Sequence, residues 1–364
     1  MKKLVWILVI LVVIALFGGR TWWLYQHRET GDNVVKVGGF LPLSGPLARD
    51  GVEFLKGLKI AQKQINSDNQ YNFKINLQME DSKFSGPQAV SLFNRLVDSN
   101  ALISSGTPST ASIAPLLTQH KIPTISLINA EDKTILSNPQ IFRGWIAARL
   151  TASEIGRYII QEYPEKSVAL LRTHSSTDAK EFEEGLLGQL TKKNIQLQMT
   201  ETFAVTDMET NAQVLKLMSK NPDIIVVYGY AQGYIAAINS LLRMGYKGDV
   251  ITTWDIEMNS SLIPNNAAGI YFVTPTYDFS QLVKEDPTTN NNFFAAFGYE
   301  VLRLLAEAMK NGTTPEQIRA GLARLKDFET GFGKISYDEQ GELYFPPFIL
   351  KQMQSDGTSK VIKE

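Results

Sequence analysis

Cysteine is absent from all 364 residues. That removes disulfides, thiolate metal sites and cysteine nucleophiles together. Histidine is nearly absent too, with only His27, His120 and His174, spaced too far apart for an HExxH or His-x₃-His metal motif. The chain has no excess charge of one sign: 36 basic residues meet 37 acidic ones, for a net of −1. A global basic field for nucleic acid is thereby excluded. No Gly-x-Ser-x-Gly elbow, no Gly-x-Gly-x-x-Gly and no Gly-x₄-Gly-Lys-Ser/Thr loop occurs. Hydrolase, dinucleotide and nucleotide-triphosphate chemistry lack support, and no cofactor or metal is expected.

What is present is an ordered globular composition, 44% hydrophobic and 20% charged, long enough for about two domains. It is preceded by a distinct leader. Met1-Lys2-Lys3 is a basic head, and Leu4 to Phe17 is apolar throughout before Gly18-Gly19-Arg20 and Trp22-Trp23. A basic n-region ahead of an apolar h-region reads as an export signal that leaves the lysines on the cytoplasmic side. Residues 4–19 as a helix would span about 24 Å, short of the roughly 30 Å hydrocarbon core, a gap that snorkelling lysines and bilayer thinning can close. No A-x-A site follows the run. An uncleaved signal-anchor over residues 1–33, with a cleaved signal peptide as the alternative, is therefore expected, and an extracytoplasmic location with it.

Beyond residue 33 the pattern alternates. Val34 to Leu41 is a β-branched run closed by Pro42, a buried strand. Phe54, Leu58, Ala61 and Ile65 follow at helical spacing, and Phe73 to Met79 alternates apolar and polar residues as a strand with one wet face. Ser85-Gly86-Pro87 opens a helix expected to bury Val90, Phe93 and Val97. Helices near 151–163, 180–193, 209–220 and 231–244 alternate with strands at 167–171, 195–203, 223–228 and 249–253. A strand at 269–273, helices from Asn292 to Asn311 and Pro315 to Leu325, and strand-like segments Lys334–Tyr337 and Glu342–Lys351 close the chain. Such order predicts an α/β fold with parallel sheets covered on both faces, in two stacks.

In open parallel sheets ligands sit outside the carboxyl ends of the strands, at helix N-termini. The loops there are 42–46, 106–110, 128–132, 173–178, 229–231 and 254–257. Ser109 and Thr110 place hydroxyls beside free helix N–H groups, which suits a carboxylate and equally suits simple helix capping.

Several segments resemble the type I periplasmic solute-binding proteins of the branched-chain amino-acid (leucine-binding) type. They are Val35 to Pro46, the Gly106–Thr110 loop, Phe142-Arg143, Phe297-Gly298-Tyr299-Glu300, and Gly333-Lys334-Ile335-Ser336-Tyr337-Asp338-Glu339-Gln340-Gly341. The likeness runs over about residues 35–360. It implies two Rossmann-like lobes joined by a three-crossing hinge, closing on a small ligand that is delivered to an ABC-type membrane permease. The lobes fall at 35–148 with 277–333 and at 149–276 with 334–364. A membrane-tethered ligand sensor on the same fold is the alternative. Carried over position by position, the ligand-carboxylate site falls on Ser109, Thr110, Ala130 and Glu131, the aromatic wall on Tyr230, and the ammonium partner near Trp254 and Asp255, with Glu257 also open. Asp50 stands where the family has a tyrosine. Glu131 lies near a family Thr/Ser, and Thr177-Asp178 replaces a second aromatic. The acidic rim implies a polar or cationic solute, such as a basic amino acid or an amide, in place of leucine, isoleucine or valine.

Overall fold

The computed structural model describes residues 33–363 apart from 46, 129–130, 175 and 264–266. The expected apolar leader helix lies outside the described residues. Among the described residues no helix is long and apolar enough to cross a membrane.

The first run of the chain is strictly alternating: β1 (Val34–Leu41), α1 (Ala48–Ser67), β2 (Lys74–Asp81), α2 (Gly86–Phe93), β3 (Ala101–Ser105), α3 (Thr107–His120), β4 (Thr124–Leu127), α4 (Asp132–Leu136) and β5 (Ile141–Arg143). These five strands form one parallel sheet in the order β2-β1-β3-β4-β5. Its central strands are buried on both faces, which is why they read as unbroken apolar runs.

The second run repeats the pattern with α5 (Ala148–Glu162), β6 (Val168–Thr173), α6 (Thr177–Leu190), β7 (Leu197–Phe203), α7 (Asn211–Met218), β8 (Ile224–Tyr228), α8 (Ala231–Arg243), β9 (Asp249–Thr253), α9 (Asp255–Met258) and β10 (Tyr271–Thr274). The parallel order β7-β6-β8-β9-β10 reproduces the first sheet's winding. Each sheet therefore has a switch point, between β1 and β3 and between β6 and β8, where the loops part and leave a crevice.

The chain then returns through α10 (Ser280–Glu285), α11 (Phe293–Met309), α12 (Pro315–Ala323), β11 (Phe328–Thr330), β12 (Gly333–Tyr337) and β13 (Leu343–Tyr344). It ends in β14 (Ile349–Met353) and β15 (Ser359–Lys363), two antiparallel strands that extend the second sheet beyond β10. The connection crosses between lobes at 144–147, 275–279 and 345–348. The apolar helix α11 buries fifteen of its seventeen residues. It lies directly on α1: a Cβ on Gly57 would sit 1.9 Å from the Ala295 carbonyl oxygen, and one on Gly298 would sit 2.3 Å from that of Phe54. Only glycine lets these backbones approach so closely.

Two local expectations are corrected. Helix α2 buries Ala89, Leu92 and Phe93 and leaves Val90 exposed, and it stops at Phe93, before Val97. The tract read as one strand over Glu342–Lys351 is two strands, β13 and β14, because Pro346 and Pro347 remove two ladder donors where the chain changes sheets. Strands β11 to β13 form a small antiparallel sheet of their own.

At the end of β5, where the first crossing begins, Arg143 is fully buried. It donates to both carboxylate oxygens of Glu342 (2.7 and 3.0 Å), to Asp132 Oδ1 (2.7 Å) and to the Glu131 carbonyl (3.1 Å). Arg149, from the second lobe, donates to the same two carboxylates.

Candidate functional site

The switch points of both sheets open onto one cavity of about 70 Å³ between the lobes. From the first lobe come Leu47 and Asp50 at the start of α1, Phe84 after β2, Thr107 at the start of α3, Ile128 after β4 and Phe294 on α11. The crossing contributes Trp145 and Ile146. The second lobe supplies Asp178 in the first turn of α6, Tyr228 to Tyr230 at the end of β8, and Thr253 to Asp255 at the end of β9. Backbone strain gathers around it: Phe84, Ile128 and Ala231 all have φ between 46° and 58°. For a β-branched residue such as Ile128 that geometry is costly and persists only where the surroundings fix it. Gly106 precedes α3 at φ 88°, and a Cβ there would strike the Phe84 ring at 2.4 Å.

The walls are aromatic. Trp145 meets Trp254 edge-on at 6.1 Å and stacks on Phe294 at 6.1 Å, while Trp254 stacks on Phe348. Trp254 is thus set into the cleft from the second lobe against an indole of the hinge.

The charge is one-sided: three aspartates line the cavity and no Lys, Arg or His does. Burial pushes the Asp50 carboxyl up to about 7, the Asp255 charge adds to the rise, and Arg49 opposes it. Burial likewise holds Asp255 at about 6, against a hydrogen bond from Thr253 (2.6 Å) that favours its charged form. Asp178 is raised by burial despite accepting from Tyr228 Oη at 2.9 Å. The phenols of Tyr228 and Tyr230 are pushed up by burial first and by Asp178 second. A ligand cation would offset the cost of ionising the three carboxyls.

The sign of the pH dependence follows. Below pH 4 Asp50 and Asp255 are protonated in both folded and unfolded chains, whose reference value is 3.8. Between 4 and about 7 the unfolded chain gives up these protons first, so the empty folded protein loses stability as pH rises through that window. Carboxylates with lowered values, such as Asp81 and Asp223, act below it. The melting temperature of the ligand-free protein is expected to fall between pH 5 and 7.5, and the fall to shrink in Asp50→Asn. Equal slopes in the two proteins would overturn the assignment.

Outside the cavity a wider groove of about 880 Å³ shares Thr107, Asp178 and Tyr230 with it and adds Glu131, Thr177 and His174. His174 Nδ1 is 3.2 Å from Thr202 Oγ1. The lobes touch on both sides of the opening. Arg49 donates to the Met258 carbonyl at 2.5 Å, and the Asp132 N–H donates to Glu181 Oε2 at 2.7 Å. Burial, a cost partly countered by that hydrogen bond and deepened by Asp132 and Glu131, puts Glu181 at about 7.

The residues singled out in the sequence fall into groups. Asp50, Tyr230, Trp254 and Asp255 come together around the inner cavity, and Glu131, Thr177 and Tyr230 line the groove. Ser109 and Thr110 are wholly buried and line neither: Thr110 Oγ1 bonds the Ser104 and Ser126 hydroxyls at 2.9 Å, and the Ser109 hydroxyl has no partner among the described residues. Thr107, two residues earlier, is the α3 residue on the cavity. Ala130 lies outside the described residues. Glu257 is engaged by Lys351 at 3.0 Å. Sequence reasoning missed Trp145, Phe84, Phe294 and Tyr228, although Trp145 stands only two residues after the noted Phe142-Arg143.

Residues 34–358 match the periplasmic binding protein family. Over 389 aligned residues, covering 99% of this chain and 98% of the other, the chain is 22% identical to a Leu/Ile/Val-binding protein homolog of Brucella abortus. It is 23% identical to a leucine-, isoleucine-, valine-, threonine- and alanine-binding protein of Pseudomonas aeruginosa, with 93% of this chain and 95% of that one covered. Among solved structures it is similar to the branched-chain amino acid transporter substrate binding protein of Streptococcus pneumoniae in complex with isoleucine. There the TM-score is 0.80 and the identity 23%, over 91% of this chain and 100% of that one. A solute binding protein of R. palustris in complex with 4-hydroxybenzoate is similar at TM-score 0.82 and 17% identity, over 91% of this chain and 96% of that one.

Proposed function

The chain belongs to the periplasmic binding protein family, and from that premise we propose that it captures a small polar solute, cationic in character, between its lobes outside the cytoplasm and delivers it to an ABC-type permease. The carrying observation is the inter-lobe cavity to which both lobes contribute carboxylates and aromatic faces but no basic side chain. Relatives of this family are named as binding proteins and not as enzymes. The Leu/Ile/Val preference in those names is not carried over, because two aspartates facing each other across the cavity suit an ammonium better than an alkyl side chain.

Capture works here by assembly. Neither lobe alone surrounds a ligand. Bringing Asp50 of the first lobe against Asp255 of the second completes the cage, and without a cation between them their charges oppose closure. The ligand thereby supplies the differential free energy that selects the closed state. The basic head and apolar run of residues 1–33 support tethering of the two lobes to the outer face of the cytoplasmic membrane.

A broad screen of amino acids, amides and amines by thermal shift tests the reading. A ligand present at 100 times its dissociation constant is expected to stabilise the protein by about 2.7 kcal/mol. No stabilising compound in the whole set would overturn it.

A further inference from the structure

The acidic groups of the cleft occupy two places, not one. Asp50 and Asp255 line only the inner cavity and face each other from opposite lobes. Asp178 lines both the inner cavity and the outer groove, and Glu131 lines the groove alone. The electrostatics divide in the same way: Asp50 feels the charge of Asp255, whereas Asp178 feels that of Glu131. Their satisfaction also differs. Asp178 accepts from Tyr228 and Asp255 accepts from Thr253, while no described residue donates a hydrogen bond to the Asp50 carboxylate. Tyr230 belongs to both the cavity and the groove and so spans the distance between the two places.

Among the described residues no group of three or more His, Cys, Asp or Glu could hold a metal ion. An organic cation answers these carboxylates without a ligand set of that kind. A single ammonium could answer Asp50 and Asp255 but would leave Asp178 uncompensated at the junction. The reverse placement would leave the two facing aspartates in repulsion. A neutral alkyl side chain would leave both.

We propose that the cleft is built for an organic solute with two cationic nitrogens, called a dication for those two groups. One cationic nitrogen sits between Asp50 and Asp255, with the indole faces of Trp145 and Trp254 nearby, and the second sits at Asp178 where the inner cavity meets the groove. A short aliphatic chain joins them along Tyr230. Aromatic faces add to the hold on each cation. The inference deepens the solute-capture reading and rests on it. Two ammonium-type nitrogens on a short chain occur both in diamines and in basic amino acids. The two sources differ in a carboxylate, for which the first turn of α3, at Thr107, supplies a helix N-terminus.

Calorimetric titration of the full chain at pH 7.5 with 1,4-diaminobutane, lysine, 1-aminobutane and leucine tests this. At least one dication is expected to bind about 100-fold more tightly than 1-aminobutane or leucine, since two charged hydrogen-bonding sites are engaged in place of one. Asp178→Asn and Asp50→Asn should each weaken that dication by about tenfold or more. Preference for the diamine over lysine would mean that the first turn of α3 holds no carboxylate, and preference for lysine that it does; both support the proposal. Leucine or 1-aminobutane binding as tightly as the dications would overturn it while leaving solute capture standing. So would dication binding indifferent to both substitutions. A protein that binds none of the four, and nothing in the wider screen, would lose the capture reading itself.

Discussion

Asp255→Asn is expected to weaken binding of a cationic solute by about 1.5–3 kcal/mol, the usual worth of a hydrogen bond to a charged partner. The substitution keeps shape and volume and removes only charge. Thr253 can still donate to the amide oxygen across the 2.6 Å contact it now makes. Burial already disfavours the charged carboxyl, which titrates at about 6. The empty variant should therefore be as stable as the parent, or more stable above pH 6, where the parent must carry a buried charge. That opposite movement of binding and stability is diagnostic. A variant that lost affinity because it misfolded would melt lower. Calorimetric titration beside thermal melts reads both, and an affinity equal to the parent's would dismiss Asp255 as the cation's partner.

Arg143→Ala should be the most damaging single change to the fold, costing about 3–5 kcal/mol, because it strands two carboxylates that were arranged around one buried guanidinium. Glu342 would lose a two-pronged partner and Asp132 a 2.7 Å one, with Arg149 the one cation among the described residues left to serve both. Tyr337 Oη bonds the Arg143 carbonyl at 2.8 Å, so the backbone of the crossing would keep part of its support. Denaturant unfolding measures the loss. Combining Arg143→Met with Glu342→Gln should recover part of it, since an uncharged site needs no guanidinium. A loss under 1 kcal/mol for Arg143→Ala would show that the network contributes little.

Much of the architecture was legible because it follows from local rules. The β-branched run at Val34–Leu41, Pro87 in the first turn of α2, and the helical spacing of Phe54, Leu58, Ala61 and Ile65 each name an element by its own residues. Strand–helix alternation then leaves parallel sheets as the economical way to pair them. The elements that escaped are short. Strands β5 and β11 and helices α4, α9 and α10 have three to six residues each, too few to show a period. The edge strand β15 escaped for another reason: four of its five residues are exposed, so it carries no apolar stripe.

The site was legible in part, and the boundary is physical. Loops at strand ends could be named from the alternation, and they carry Tyr230, Trp254 and Asp255 to the cavity, whereas Asp50, within α1, was reached only through the family resemblance. Which residue of a helix's first turn points outward depends on the rotation of α3, and that is fixed by Ser104 and Ser126, on β3 and β4, bonding Thr110 from behind. Nothing adjacent in sequence records it. Phe294 reaches the cavity from α11 for a similar reason: its place is set by the contact of Gly57 and Gly298 across two helices far apart in the chain.

That same helix contact imposes an order of events. The sheet that α1 covers is complete by residue 143, yet the helix that seals α1 on its other side starts at Phe293, after the whole parallel core of the other lobe has been synthesised. Until then Phe54 and its neighbours lack the cover of α11, and neither half is complete until the chain returns: the first lobe waits for α11 and the second for β14 and β15. Closing a loop of such length is slow relative to local pairing. A nascent chain threaded outward from its amino end would stay pliable until nearly all of it had passed, which is the condition a narrow conduit for unfolded polypeptides requires.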